Sequence, residues 1–485
     1  MTCLRNLPFV VSILMKKSLL LISVLVSCAV QSLYARVELP PVLADNMVLQ
    51  QQTEAALWGK AKPETKVVVT TTWSKEKTVV YSDSDGRWYA KVQTPAAGGP
   101  YEITFNDGDK VTLKNVLIGE VWICSGQSNM EMPMKGFNAQ PVQGAADLIL
   151  EARPSTLIRA CNVERIKAFE PQEDCPAKWY ENTPEGVAET SAVAYFFAKQ
   201  LYDVLQIPIG IIHASWGGTP IEAWMSKDVL EAEFTGEFDM TRYQTREWPE
   251  KNPYQYPGVL YNGMLYSLKN YTAKGFIWYQ GCSNRHNPGQ YKRLQPAFVK
   301  MLRKDWNNEN MPFYFTQIAP YRHNPPEMMW AQAQTVAMIP HSGMASAHDV
   351  GEYHVIHPAR KQPIGDRPAY LALENDYGCK YIDSKTPIPT SVEFREGEAI
   401  VKFNVGEMGL NPRSQDLGGF ELAGEDGVFY PAKATLHGRG ARAIKVYKCP
   451  QVTNPVAVRY AWSKWCPPTM FNGSGIPMTP FFMTK

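Results

Sequence analysis

The sequence predicts an α/β fold with a mostly parallel sheet, flanked along the chain by antiparallel β-sandwich regions, and three observations carry that expectation. Apolar strands at 116–124, 209–214 and 275–279 alternate with helix-like periods such as 191–204 and 295–306, which is the grammar of a βαβ chain. Before residue 116 the text instead breaks into short strands separated by Asp85-Gly86 and Gly98-Gly99-Pro100. After Lys385 the short strands return, at 391–394, 399–403 and 457–462. With 485 residues, 45% hydrophobic and 20% charged, the chain has room for several domains and the composition of an ordinary globular protein.

Read in order, residues 1–35 form an export signal, with Lys16-Lys17 ahead of the apolar run 18–26, and Met15 as the true start. Leu25-Val26-Ser27-Cys28 also reads as a lipobox, so the expected product is periplasmic or an outer-membrane lipoprotein anchored at Cys28. No later stretch approaches the roughly 20 apolar residues of a membrane span. Residues 36–115 then form an N-terminal β-sandwich domain, 116–385 the catalytic domain and 386–485 a C-terminal β region. The polar, aromatic stretch 228–261 has weak periodicity and is expected to loop over the crevice.

Charge and cysteine content narrow the function. Forty-nine Lys plus Arg against 47 Asp plus Glu gives +2, and loss of Arg5, Lys16 and Lys17 with the leader leaves 46 against 47. Such a chain has no global basic field, which argues against a nucleic-acid partner. Nine cysteines contain no C-x-x-C pair, so no structural zinc site is expected. Cys161 with Cys175 and Cys449 with Cys466 could close short disulfide loops, or all could be buried thiols.

In parallel sheets the ligand crevice lies at the carboxyl ends of the strands, so residues just past an apolar strand are where chemistry is expected. The first such place is Cys124-Ser125-Gly126-Gln127-Ser128-Asn129. A serine on a tight strand-to-helix turn exposes its hydroxyl and carries an N–H at a helix start, as a nucleophile facing an oxyanion requires; the same turn also reads as a helix cap. A hydroxyl needs a base, and Pro358 places His357 in a loop, with Asp349 and Glu352 as local carboxylates to orient it. Two glycine turns, Trp216-Gly217-Gly218 and Gln280-Gly281-Cys282, could supply donors to a developing oxyanion.

Gly126-Gln127-Ser128-Asn129-Met130, Trp216-Gly217-Gly218-Thr219-Pro220-Ile221-Glu222, Trp278-Tyr279-Gln280-Gly281 and Ile356-His357-Pro358 together resemble the bacterial sialate O-acetylesterase family of the SGNH hydrolases. The resemblance spans roughly residues 39–373 and implies a flavodoxin-like three-layer α/β/α catalytic domain. It implies Ser128 as nucleophile and His357 as base, with an oxyanion hole formed by the Ser128 N–H, the Gly217 N–H and the Gln280 amide. The substrate implied is an acetylated sugar or oligosaccharide, and no metal or organic cofactor is implied. Two positions depart from the family pattern: Cys282 stands where most relatives have glutamate, and Val355 where an aspartate usually precedes the histidine by two. Asp349, which matches the aspartate opening the last block, is therefore the expected third triad member, with Glu352 behind it. A non-catalytic sugar-binding protein with a degenerate site is the alternative those two changes allow. A lipase or thioesterase would want a long apolar acyl pocket, whereas Trp248, Tyr254 and Tyr256 offer aromatics suited to sugar rings.

Overall fold

The computed structural model describes residues 36–412 and 417–485, so the leader, the Met15 start and the Cys28 anchor lie outside the described residues. By packing, the chain divides into two compact units. The smaller holds residues 36–40, Ala56–Val92 and Tyr101–Lys114; the larger holds Pro41–Ala55, Gln93–Pro100 and Asn115–Lys485. Residues 386–485 thus pack within the same unit as 116–385.

The smaller unit is antiparallel. Lys66–Thr71 pairs with both Lys77–Tyr81 and Gly98–Asn106, and Glu54–Lys60 pairs with Arg87–Gln93. Strict alternation in Arg87–Gln93 turns Trp88, Ala90 and Val92 inward, as the period of two demands. The two pairings meet where Trp88 lies 5.5 Å from Phe105.

The larger unit is built on a mixed sheet. We label its strands β1 (Lys110–Gly126), β2 (Ile158–Val163), β3 (Ala177–Tyr180), β4 (Ile209–Ser215), β5 (Gly275–Tyr279), β6 (Phe313–Thr316) and β7 (Ser342–Ala345). Their order is β7-β6-β5-β1-β4-β2-β3, all parallel except β3. Every residue of β4 and β5 is buried, which is why these strands read as unbroken apolar runs without alternation.

Helices α1 (Ser128–Glu131), α2 (Ala192–Leu205), α3 (Pro288–Asp305), α4 (Pro326–Thr335) and α5 (Gln362–Asn375) follow the strands. Ser191 caps α2 by accepting from the Ala194 N–H at 3.2 Å. Ile277 and Tyr279 of β5 join one apolar cluster with Phe197 of α2 and Leu371 of α5. Their neighbour Trp278 points the other way and lies 4.7 Å from Phe298 of α3. Helix α3 begins seven residues ahead of the expected 295, because Pro288 opens it and its first two turns are polar.

The stretch 228–261 is less open than its composition suggested, containing the short helices Lys227–Glu233 and Arg242–Thr245. Beyond 386 two antiparallel four-stranded sheets enclose a core that includes Val401, Phe403, Phe420, Ile444, Tyr460 and Phe481. The seven described cysteines, Cys161, Cys175, Cys449 and Cys466 among them, are free. None of the helices formed by the described residues is long and apolar enough to cross a membrane.

Candidate active site

β2, β3 and β4 fill one side of β1, with β4 adjacent to it, and β5, β6 and β7 fill the other in order outward. β1 therefore sits at the switch point, where a parallel sheet opens a crevice at its carboxyl edge. Register makes the three central ends level, since Ser215 of β4 and Tyr279 of β5 both pair with Gly126. The residues that follow, Gln127-Ser128, Trp216-Gly217 and Gln280-Gly281, emerge side by side. Three motifs up to about 150 positions apart thereby converge.

Gly126 sits at φ 147°, and a Cβ there would collide with the Tyr279 carbonyl oxygen, so only glycine lets β1 turn this tightly. Gln127, extended, is the cap residue of α1 and locks the turn by accepting from the N–H groups of Gly281 (3.0 Å) and Ser283 (3.3 Å). Ser128 is consequently the first helical residue, half-buried, and its hydroxyl makes no capping bond. Its N–H belongs to the first turn, which has no intrahelical acceptor. The helix-cap reading of the serine is thereby excluded.

His357 reaches this place through its neighbour. The Asn129 amide donates to the Ile356 carbonyl at 3.0 Å, and the Lys361 ammonium donates to Asn129 Oδ1 at 2.5 Å. No direct hydrogen bond joins Ser128 Oγ to the imidazole; unliganded hydrolytic sites often hold this contact long and tighten it on substrate. The imidazole is edge-on to Phe137, 5.5 Å between centroids, and its Nδ1 is 2.6 Å from Gln140 Oε1. Burial, with the Lys361 charge adding to it, pushes His357 down to about 4, so the ring is neutral at physiological pH. Burial likewise brings Lys361, fully enclosed, down to about 7.

Three expected roles are corrected. Asp349 is not at the imidazole: its two carboxylate oxygens take the Arg367 guanidinium at 2.7 and 2.8 Å in a buried fork. Glu352 is also turned away, accepting from the Ala359 N–H at 2.7 Å. Gln280 has both amide protons committed, donating to the Thr219 carbonyl at 3.0 Å and to Asn284 Oδ1 at 2.8 Å. It braces the Trp216–Thr219 turn instead of offering a donor to the crevice. Gly217 does face the serine, since a Cβ added to it would lie 3.2 Å from Ser128 Cβ, but its N–H donates to the Glu131 carboxylate. Glu131 is held there by Arg165 at 2.6 Å. Of the three expected donors the first-turn Ser128 N–H stands open, whereas the Gly217 N–H is taken by Glu131.

Cys282 is a buried thiol pushed up to about 11 by burial, with the Asn324 amide against its sulfur. A thiol so far from ionising is not a nucleophile. Of the aromatics, Trp248 stacks on Phe169 at 4.0 Å with the Lys167 ammonium 4.8 Å from its ring, and Tyr256 is buried. Tyr254 stacks on Trp216 at 4.9 Å and is the one of the three beside the Gly217-Gly218 turn. Gln140, Glu131 and Lys361 were not singled out from the sequence, since nothing in their local spacing marks them. No group of three or more His, Cys, Asp or Glu side chains is placed to hold a metal among the described residues.

A serine at the head of a helix at the switch point of a parallel sheet, with a neutral imidazole on the loop tied to the next residue, is an arrangement suited to the α/β hydrolytic enzymes. Residues 118–369 match the family described as carbohydrate esterase, sialic acid-specific acetylesterase. The sialate O-acetylesterase of Homo sapiens is 30% identical, with 90% of each chain covered, and that of Mus musculus is 26% identical, covering 86% of this chain and 88% of its own. The crystal structure of a carbohydrate acetylesterase from Xanthomonas citri superimposes with a TM-score of 0.83 at 30% identity, over 92% of this chain and 99% of that one. The chain belongs to the sialate O-acetylesterase family of carbohydrate esterases.

Proposed function

We propose that this protein carries out carbohydrate O-deacetylation through an acetyl-enzyme formed on Ser128. The observation that carries the reading is the Asn129–Ile356 hydrogen bond, which ties the residue after the serine to the residue before the histidine across 227 positions. Ser128 Oγ attacks the acetyl carbonyl carbon while His357 Nε2 takes its proton. The C–O bond to the sugar then breaks, and the imidazolium returns that proton to the leaving hydroxyl. Water, deprotonated by the same nitrogen, attacks the acetyl carbon, the bond from that carbon to Oγ breaks, and the imidazolium returns the proton to Ser128 Oγ as acetate leaves. Charge on the carbonyl oxygen is met by the Ser128 N–H and, after Glu131 swings off, by the Gly217 N–H.

The sugar lies against the Trp216–Tyr254 pair, whose stacked rings stand beside the Gly217-Gly218 turn. An SGNH-like three-layer arrangement is supported by helices α2 and α5 covering the face that carries Ile277, and α3 the face that carries Trp278. The charged head and apolar body of residues 15–35 support export, to the periplasm or to a lipid anchor at Cys28. The test is acetate release from acetylated sialosides, xylo-oligosaccharides and pectic fragments. Wild type is expected to release acetate from at least one, and Ser128→Ala to lose activity by about 10³-fold or more. Sugar binding without turnover by wild type would sink the reading in favour of a degenerate binding site.

A further inference from the structure

Resting on the Ser128–His357 reading, we propose that Gln140 is the positioning residue of the imidazole, occupying the place where a hydrolytic triad has its acid. Gln140 Oε1 lies 2.6 Å from His357 Nδ1. An amide oxygen only accepts, so this contact puts the proton on Nδ1 and leaves the Nε2 lone pair free to receive the serine proton. The carboxylates that could compete are engaged elsewhere, Asp349 by Arg367 and Glu352 by the Ala359 N–H.

The loop that presents Gln140 is built to hold it. Phe137 and Gln140 exchange backbone hydrogen bonds, both at 3.0 Å, closing a tight turn over Asn138-Ala139. The loop then meets the histidine loop at three points: the Phe137 ring edge on the imidazole, the Gln140 side chain, and the Gln143 N–H on the Ala359 carbonyl at 2.9 Å. A half-buried residue gripped on both sides fixes ring orientation as well as tautomer.

What the amide cannot do is stabilise the imidazolium by opposite charge. Around the ring, Lys361 from the start of α5 contributes a positive charge; of the acids on the surrounding loops, Glu131 pairs with Arg165, Asp349 with Arg367, and Glu352 accepts from the Ala359 N–H. A glutamate placed at 140 would complete a triad of the ordinary kind. It would favour the protonated imidazole and move the acid limb of the rate profile upward by about 1–3 pH units, the usual reach of one opposite charge at contact.

The experiment measures p-nitrophenyl acetate hydrolysis by the full chain across pH, for wild type, Gln140→Glu, Gln140→Leu, Ser128→Ala and His357→Ala. Gln140→Leu is expected to lower kcat by about 10–100-fold with KM nearly unchanged, a part of what a positioned base contributes. Gln140→Glu is expected to keep turnover and shift the acid limb of kcat/KM upward, which a merely structural side chain would not do. An unshifted limb in Gln140→Glu, or wild-type kcat in Gln140→Leu, overturns the assignment while inactive Ser128→Ala and His357→Ala leave the site reading intact. Full activity in Ser128→Ala overturns the site reading and this assignment with it.

Discussion

At the residue scale the site turns on how His357 is kept neutral. Burial is the larger cause and the Lys361 charge the smaller, and both act downward, to about 4. On the proposed mechanism His357 is the base and must be unprotonated to work, so activity is expected to persist as pH falls and to fail only near pH 4, well below the range of an exposed histidine. A kcat/KM profile on p-nitrophenyl acetate checks this. In Lys361→Met the limb is expected to rise but stay below 6.5, because the burial remains. Asp349 calls for a different measurement. Its carboxylate, though burial opposes ionisation, is held below the usual range by the Arg367 bonds. Asp349→Ala would strand a buried guanidinium and is expected to cost about 3–5 kcal/mol in denaturant unfolding while leaving the pH–rate profile in place.

Elements decide whether the serine is presented at all. β1 ends on a glycine whose left-handed backbone and close approach to Tyr279 leave no room for a side chain. Gly126→Ala is expected to destabilise by about 3 kcal/mol or more, through strain plus a broken β1–β5 edge, read as a lower unfolding midpoint. Gly217 is milder, since an added methyl meets Ser128 Cβ at 3.2 Å and Glu131 at 3.1 Å, contacts a side chain can yield. Gly217→Ala is expected to fold normally and lower kcat/KM on p-nitrophenyl acetate about tenfold or more, by crowding the proposed nucleophile Ser128 and displacing the proposed second donor. These glycines were visible in the sequence as turn signals, but which one needed its glycine for geometry became visible only with the neighbouring strand in place.

Across the whole larger unit the C-terminal β region supports the α/β sheet. The fully buried Gln317, just past β6, donates to Thr479 Oγ1 at 2.5 Å, and buried His348, just past β7, has its Nδ1 2.8 Å from the Met478 carbonyl. Removing residues 386–485 would leave both side chains without these partners and uncover Trp330, which faces Phe481. The truncated chain is expected to be insoluble or to lose cooperative unfolding by circular dichroism, whereas an independent appendage would leave both unchanged.

The sequence by itself determined the class of fold, the strand ends at which chemistry is expected, and the motifs that carry Ser128 and His357, because apolar runs, glycine turns and ordered motifs are local in the chain. It did not determine the partners of those residues. Asp349 and Glu352 looked right because they are near His357 in sequence, yet Arg367 and the Ala359 N–H claim them, and Gln140, 217 positions upstream, takes the imidazole. Gln280 carried a donor of the right chemistry, and only the folded turn commits it to Thr219 and Asn284. Hydrogen-bond partners are settled by which loops the sheet order brings together, and that order is a property of the tertiary fold.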